Sequence, residues 1–285
     1  MRIAIVTDST AYLNNEEYER DNLFFVPLSC IFDQDIYKEQ VDISMEEFFE
    51  KVAQTDKLPT SSQPTVGDFM KLYEKLKEDF DAVISIHLSS RISGTFQNAF
   101  SVAQSTEGIA VHPYDSGFAG AGLALQVKEA VRLADEGKSV NEIINRLDEV
   151  KDATDIYFVV DDVTNLIKGG RLSKTAGGVA TLLKIKPVLT MRAGEIIAFD
   201  KIRTMKKALK RMETLLEEAV KEAPYPIQAT VVHAYCEEEA LAYLHKLEEK
   251  FPTVRFDFSI LGPVVGVHTG PGTIGMTWTK DFTRM

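Results

Sequence analysis

The chain has 285 residues, of which 45% are hydrophobic and 26% are charged, and its net charge at pH 7 is -11. These values are ordinary for a globular protein of two domains. The acidic balance argues against a general nucleic-acid binder, because phosphate backbones attract basic surfaces.

The start of the chain carries one short apolar run, from Ile3 to Val6. It is too short for the core of a signal peptide, and no later run approaches the ~18 apolar residues of a membrane span. The 2 cysteines, Cys30 and Cys236, lie in separate apolar stretches, which favours two buried thiols over a disulfide or a metal site. Since low cysteine use fits a reducing compartment, we expect a cytoplasmic protein without stable membrane insertion.

Short β-branched and apolar runs alternate with amphipathic stretches along the chain. Because the runs are continuous and do not alternate with polar residues, they predict strands that are covered on both faces. The predicted strands cover residues 3–6, 24–28, 82–86, 156–160, 229–232 and 254–260.

Three helix starts are predicted by a hydroxyl residue that precedes an acid by three positions, at Ser44, Thr65 and Ser139. Apolar residues at helical spacing predict further helices over 123–133 and 209–220. Strands that alternate with helices in this way indicate an open α/β sheet.

One segment of the second half departs from this alternation. Residues 187–191 and 196–199 flank Arg192-Ala193-Gly194-Glu195, a pattern that predicts a β-hairpin. The sequence therefore predicts an α/β protein of two domains. Residues 1–160 would form a mainly parallel, Rossmann-like sheet with helices, and residues 161–285 an α/β domain with a mixed sheet that includes the hairpin.

Open α/β sheets bind ligands beyond the carboxyl ends of their strands. In this chain those ends are followed by hydroxyl and acidic residues, at 7–10, 89–95, 114–117 and 161–162. We therefore expect a binding site at that edge of the sheet.

The segment from Gly270 to Gly275 satisfies G-x-G-x-x-G, the pattern of dinucleotide sites. The chain ends too soon afterwards for the βαβ unit that such a site needs, and Pro271 removes an amide that would bind phosphate. A tight turn that approaches a ligand or another strand is the better interpretation. The neighbouring His268 is compatible with either a core or a site position.

A second glycine-rich stretch, Gly169-Gly170-Arg171, is followed by a predicted helix over 176–183. A glycine pair before a helix, with an arginine nearby, is compatible with an anion site. It is equally compatible with a simple loop that carries a solvated arginine, since the spacing of a Walker A motif is missing.

Three acids at strand ends, Asp8, Asp161 and Asp162, could form a carboxylate cluster for metal or acid–base chemistry. Helix capping is the favoured interpretation, because an aspartate at a strand end commonly caps the next helix. The 5 histidines show no metal-ligand spacing, and no G-x-S-x-G elbow occurs. We therefore expect no metal site and no α/β-hydrolase.

Two hydroxyl-rich segments, residues 60–64 and 90–95, are predicted as loops, each of which precedes a helical pattern. Each alone is compatible with helix capping. Together they offer several short neutral donors that suit a carboxylate. No neighbouring residue looks like an activating base, so nucleophilic serine chemistry is poorly supported.

With these motifs the sequence resembles the DegV family, to which the fatty-acid-binding (FakB-type) subunits of bacterial fatty acid kinase belong. The resemblance runs along essentially the whole chain. It is carried by IAIVTDST at the start, TSSQPTVGDF, HLSSRISGTFQNA, YDSG, LIKGGRLSKTAGGVATLLKIKPVL and, near the end, GVHTGPGTIG.

The resemblance implies a two-domain fold of the type called EDD, with a fatty acid such as palmitate, stearate or oleate buried in a tunnel and no other cofactor. It assigns the carboxylate to Ser61 and Ser93, with Ser62 close by and His268 near the head group. Family members usually carry threonine at the position of Ser61, and the additional serine leaves the register of this segment open by one residue.

The resemblance also assigns Arg171 and Arg203 to phosphate handling or to contact with an ATP-dependent kinase partner. That partner phosphorylates the bound acid in the family, so the chain itself would be a non-catalytic lipid-binding subunit in phospholipid metabolism. Two other functions stay open from the residues alone: a phosphoryl- or acyl-transfer enzyme acting on a small acid, and a lipid-responsive sensor.

Overall fold

The structure is a computed structural model that describes residues 1–55, 57–173 and 185–284. The chain divides into two units. The first consists of Met1–Ser44 and Pro59–Asp152, and the second of Met45–Leu58 and Ala153–Met285. The segment Met45–Leu58 thus groups with the second unit, although it lies between two parts of the first in sequence.

The first unit is built on a parallel sheet of four strands, in the order β2-β1-β6-β7. Strands β1 and β6 occupy its centre and are buried along their whole length, as their continuous apolar sequences predict. The strands are β1 (Ile3–Asp8), β2 (Leu23–Val26), β6 (Ala82–His87) and β7 (Ala110–Asp115).

A small antiparallel sheet accompanies the parallel one, with the strand order β4-β3-β5. Its strands are β3 (Ser29–Phe32), β4 (Asp35–Lys38) and β5 (Thr60–Ser62). The helices of this unit are α1 (Asn15–Tyr18), α3 (Val66–Leu76), α4 (Thr95–Ala103), α5 (Ala121–Asp135) and α6 (Val140–Ala153).

The second unit contains a mixed sheet of six strands, in the order β10-β9-β8-β13-β11-β12. Its strands are β8 (Asp155–Val159), β9 (Val188–Arg192), β10 (Glu195–Asp200), β11 (Ile227–Ala234), β12 (Arg255–Ile260) and β13 (Thr273–Lys280). The predicted hairpin is confirmed, since β9 and β10 pair antiparallel and Met191 lies opposite Ile196.

Helices cover this sheet, and a buried core that includes Tyr157, Met212 and Leu247 lies beneath them. The described helices of the unit are α2 (Met45–Ala53), α7 (Thr164–Lys168), α8 (Met205–Glu222), α9 (Glu237–Lys250) and α10 (Pro263–Thr269). No helix within the described ranges is long and apolar enough to cross a membrane.

The central strand β13 was not among the predicted strands. Its sequence mixes threonine and glycine with apolar residues and so lacks the continuous apolar run that marks β8 or β11. The strand has no space for a side chain at Gly275, because a Cβ atom there would lie 2.8 Å from Val232 Cγ2 and 3.1 Å from Phe158 Cβ. The absence of a side chain at Gly275 therefore lets the neighbouring strands approach closely.

Two of the predicted capping boxes are complete. Thr65 and Asp68 exchange side-chain to backbone hydrogen bonds at the start of α3, and Ser139 and Glu142 do so before α6. The predicted helix that starts after Ser44 begins at Met45. Local polar sequence therefore determines where these helices start.

A buried carboxylate joins α8 to α9. Glu213 has a side chain that is 1% exposed, and its oxygens accept hydrogen bonds from Lys210 at 2.6 Å, Lys246 at 2.5 Å and Lys250 at 2.8 Å. Burial opposes its ionisation, but the three ammonium groups outweigh that effect and lower its pKa to about 2.

We predict that Glu213→Gln lowers the free energy of unfolding at pH 7 by roughly 1 to 3 kcal/mol, because it removes three charge-assisted hydrogen bonds. The carboxyl group has a lower pKa in the folded than in the unfolded chain. Its stabilisation is therefore present above about pH 4.5 and is lost as the pH falls toward 2.

Urea unfolding between pH 7 and pH 2.5 measures both effects. Glu218→Gln is the control, since Glu218 lies on the same helix with a side chain that is 56% exposed. Equal stability of the two variants at pH 7 would contradict the assignment.

Candidate functional site

The carboxyl ends of β1 and β6 are joined by Asp8, whose side chain is fully buried. Its Oδ1 atom accepts hydrogen bonds from the Thr10 backbone N–H at 3.1 Å and from the Thr10 hydroxyl at 2.6 Å. Its Oδ2 atom accepts one from the Leu88 N–H at 2.9 Å. The prediction that Asp8 is a capping residue is confirmed, and the same carboxylate also fixes the start of the loop after β6.

A chain of buried polar groups continues from Asp8 into the core. His87 Nδ1 lies 3.1 Å from Asp8 Oδ2, and His87 Nε2 lies 2.7 Å from Ser85 Oγ. Ser85 Oγ is in turn 2.8 Å from the Tyr73 hydroxyl. The order Ser–His–Asp is that of a nucleophilic triad, but all four side chains are 0% exposed, so a substrate cannot reach Ser85.

This network was missed by sequence reasoning, because folding brings residue 8 to residues 73, 85 and 87. The available signal was weak: Ser85 and His87 are two polar residues with strand spacing in an otherwise apolar run. Fully paired polar groups in a core fix one arrangement of the elements that carry them. Here the buried polar groups hold β1 against β6, the strand that leads into the hydroxyl-rich loop.

The loop from Ser89 to Ser93 is held by backbone hydrogen bonds. The Ser89 N–H donates to the Phe118 carbonyl at 2.7 Å, and the Ser93 N–H donates to the Ser89 carbonyl at 3.1 Å. The Ser90 N–H donates to Asp115 Oδ1 at 3.2 Å, from the end of β7. The loop is therefore held by its own backbone and by the end of β7 with the residues that follow it.

Ser93 lies at the start of α4 and is half-buried. Its Oγ atom accepts a hydrogen bond from the Thr95 N–H at 3.3 Å and lies 2.9 Å from the Thr95 hydroxyl. The N-cap residue is Gly94, which supplies no side-chain hydrogen bond to the helix. This helix start thus combines two hydroxyls with an N-terminus that no N-cap side chain covers.

Ser61 and Ser62 lie on a strand, although their segment was predicted as a loop. In β5, Ser61 is paired with the buried Cys30 of β3, and Ser62 with Ser29. Successive side chains of a strand point to opposite faces. Ser61 is accordingly half-buried and Ser62 exposed, with the Ser62 hydroxyl donating to the Gln63 carbonyl at 3.3 Å.

The structure brings the two hydroxyl segments of the first unit together. A Cβ atom on Gly94 would lie 2.6 Å from the amide nitrogen of Gln63, so the Gln63 side chain covers Gly94. The Asn98 amide donates to the Pro64 carbonyl at 2.9 Å. The residues that follow Ser61 and Ser93 in sequence are thus in direct contact.

The second unit carries His268, at the end of α10. A Cβ atom on Gly169 would lie 2.6 Å from His268 Nδ1, so the backbone of Gly169 packs against the imidazole. Arg171 donates from Nη1 to the Gly169 carbonyl at 2.6 Å. Burial, with a smaller effect from Arg171, lowers the pKa of His268 to about 4. The imidazole is therefore neutral at physiological pH and offers one N–H donor.

Arg203 is exposed and lies directly before Thr204, which caps α8. Among the described residues, no hydrogen bond or ion pair joins Arg203 to Arg171 or His268. The structure thus places Arg171 beside His268 and leaves Arg203 as a separate surface cation.

The two glycine-rich stretches form turns. Gly169 and Gly170 end α7, and Gly170 has a φ of 70°. The helix predicted over 176–183 lies outside the described residues. At the second stretch, Gly270 and Gly272 have φ values of 74° and 78° and lead from α10 into β13, which agrees with the predicted tight turn next to a strand.

Each of the three acids at strand ends has a partner close to it in its own unit. Asp8 accepts from Thr10 in the first unit, and Asp161 and Asp162 belong to the second. Asp162 caps α7 by accepting from the Thr164 N–H at 2.8 Å, and Asp161 pairs with Lys186. Across the described parts of the chain, no group of three His, Cys, Asp or Glu residues could hold a metal ion.

We predict that His268 makes stability depend on pH. Its pKa is about 4 in the folded chain and near 6.5 when unfolded, so the unfolded chain binds the proton more readily between these values. The stabilisation is complete above pH 6.5 and is lost as the pH falls toward 4, by about 3 kcal/mol.

NMR titration of the imidazole and urea unfolding from pH 7 to pH 4 measure this effect. His268→Gln should flatten the pH dependence, and His245→Gln, at an exposed histidine, should leave it unchanged. An imidazole midpoint near 6.5 would contradict the assignment.

Comparison with known proteins gives one consistent result. The model of the DegV family, described as a family of uncharacterised proteins, matches residues 2–281. A DegV domain-containing protein of Listeria innocua is 45% identical over 279 residues, which cover 98% of each chain.

Solved structures agree with the sequence match. The crystal structure of DegV from Bacillus subtilis, described as a fatty acid binding protein, has a TM-score of 0.93 and 40% identity, and the match covers 99% of this chain and 100% of that one. A DegV family protein from Thermus thermophilus, also described by its fatty acid binding, has a TM-score of 0.90 and 32% identity, with coverage of 98% and 100%.

Proposed function

Because the chain belongs to the DegV family, we propose that it binds a long-chain fatty acid and that Ser61 and Ser93 hold the carboxylate. One observation carries this assignment: two half-buried hydroxyls lie on segments that contact each other through Gln63, Gly94 and the Asn98–Pro64 hydrogen bond. Relatives that are described as fatty-acid-binding proteins support the class of ligand.

The chemistry of these donors suits a carboxylate. Hydroxyl groups can donate to an anion without the cost of burying an unpaired cation. At Ser93 the helix start adds to this, since the N-cap residue Gly94 provides no side-chain hydrogen bond to the first turn of α4. Strand geometry favours Ser61 over Ser62 as the second donor, because Ser62 lies on the exposed face of β5.

The hydrocarbon tail would supply most of the affinity. Burial of about fifteen methylenes at ~0.8 kcal/mol each offers on the order of 12 kcal/mol before the cost of ordering the ligand. In the second unit, the neutral imidazole of His268 offers one N–H donor of a kind that suits a carboxylate.

We further propose that the protein has no catalytic activity alone and acts in the cytoplasm, where it presents its cargo to an ATP-dependent kinase. In that reaction a carboxylate oxygen attacks the γ-phosphorus of ATP, ADP leaves, and an acyl phosphate forms. The exposed Arg203 would then contact the partner or its phosphates, and Arg171 would act beside His268.

We predict that Ser93→Ala and Ser61→Ala each weaken the binding of palmitate or oleate about tenfold or more, because each loses a hydrogen bond to a charged group. Ser62→Ala is the matched control and should stay within about threefold of the unchanged protein. Calorimetric titration of delipidated protein gives the affinities, and melting temperatures verify the fold.

Equal losses of affinity in Ser61→Ala and Ser62→Ala would contradict the proposal that Ser61, and not Ser62, binds the carboxylate. Unchanged affinity in Ser93→Ala would contradict the proposed binding of the carboxylate at Ser93. A protein that carries no fatty acid in native mass spectrometry after purification from bacteria, and binds none when it is added, would overturn the proposed function itself.

We predict that the protein alone does not turn over ATP, and that acyl phosphate accumulates when a bacterial fatty acid kinase subunit is added to the oleate-loaded protein. Arg203→Ala should slow this step while oleate affinity stays unchanged. Lys207→Ala is the control, since it removes an exposed cation from the first turn of α8, the helix that follows Arg203. ATP turnover by the isolated protein would favour a transfer enzyme instead.

A further inference from the structure

The second unit contains a cavity of about 550 Å³ between α8 and α9, which we call the α8–α9 groove. Its apolar lining comes from Met205 and Leu209 on α8, Ala242 and Tyr243 on α9, and Ile274 at the start of β13. The volume falls within the range of small-molecule sites. None of the residues proposed for the carboxylate of the fatty acid lines the groove.

The apolar wall of the groove has a fixed shape. Tyr243 is 5% exposed, and its hydroxyl donates to the Leu209 carbonyl at 3.0 Å, so the ring is anchored at its far end. Leu209 and Met205 are partly buried and pack against the core of the unit. A rigid aromatic ring beside aliphatic side chains suits a flat apolar group.

Three lysines, Lys206, Lys210 and Lys246, also line the groove. Lys210 and Lys246 are positioned by the buried Glu213 carboxylate, which accepts from their ammonium groups at 2.6 Å and 2.5 Å. Each ammonium group keeps further donors for a ligand. Lys206 has no ion-pair partner among the described residues.

Two acids limit how much negative charge the groove accepts. Asp161 and Glu239 lie in its lining, and Asp161 is paired with Lys186. A polyanion such as a nucleoside triphosphate would be repelled by these carboxylates, whereas a single negative charge can be met by the lysines.

We infer that the α8–α9 groove binds an organic monoanion that carries a flat apolar group, with the ring against Tyr243 and Leu209 and the anionic group at Lys206 and Lys246. This site is independent of fatty-acid binding.

Naphthalene-2-sulfonate is the probe, because it is a monoanion at every accessible pH. Protein labelled with ¹³C-methyl methionine reports binding at Met205, which lines the groove, while Met212 on the same helix is fully buried and serves as the internal reference. We expect a saturable shift of the Met205 signal only. Naphthalene-2-sulfonamide, without the charge, and methanesulfonate, without the ring, should each bind at least about fivefold more weakly.

Lys206→Gln should weaken binding roughly threefold or more, since it removes a cation that no ion pair holds within the described part of the chain. Ala242→Trp, at an exposed position, should abolish binding by filling the groove. Lys221→Gln, on the same helix but outside the groove, is the control. The melting temperature of each variant verifies the fold.

The titration is run with and without one equivalent of oleate. Equal affinities support a separate groove, and competition by oleate would overturn it by placing the probe in the fatty-acid site. No shift at Met205, or unchanged binding in both Lys206→Gln and Ala242→Trp, would also overturn the inference. The shift at Met205 and the effects of the variants do not depend on whether the protein binds fatty acids, whereas the oleate comparison does.

Discussion

The arrangement of the first unit depends on one buried carboxylate, that of Asp8. It accepts hydrogen bonds from Thr10 at the end of β1 and from the Leu88 N–H at the end of β6, and it lies against His87. A buried charge without partners would cost several kcal/mol, so the two strand ends must stay where they satisfy it. The loop that carries Ser93 begins directly after Leu88, and its position follows from this constraint.

The proposed head-group site extends the same principle. The neutral hydroxyls lie on backbone that is already hydrogen-bonded. Ser61 belongs to a strand that pairs with β3, and Ser93 lies at the start of α4. Donors held in this way lose little conformational entropy when they bind an anion. The buried Ser85, by contrast, shows that an order of residues typical of catalysis can serve only to hold a core together.

The sequence predicted most of the fold, because continuous apolar runs such as residues 82–86 and capping residues such as Thr65 act locally. It did not predict β13, whose pairing depends on Gly275 and on neighbours 39 or more residues away in sequence. It also took Thr60–Ser62 for a loop, since three hydroxyl residues show no strand pattern until β3 pairs with them. The hydroxyl residues of the site were named from motifs, whereas only pairing across β3 distinguishes Ser61 from Ser62.

The central claim is that hydroxyl groups of the first unit hold the carboxylate of a fatty acid. A crystal structure of the protein with palmitate tests it most directly. The account predicts carboxylate oxygens within hydrogen-bonding distance, about 2.5 to 3.0 Å, of Ser93 Oγ and Ser61 Oγ. A palmitate whose carboxylate lies away from both serines, or a crystal soaked in palmitate that contains none, would contradict it.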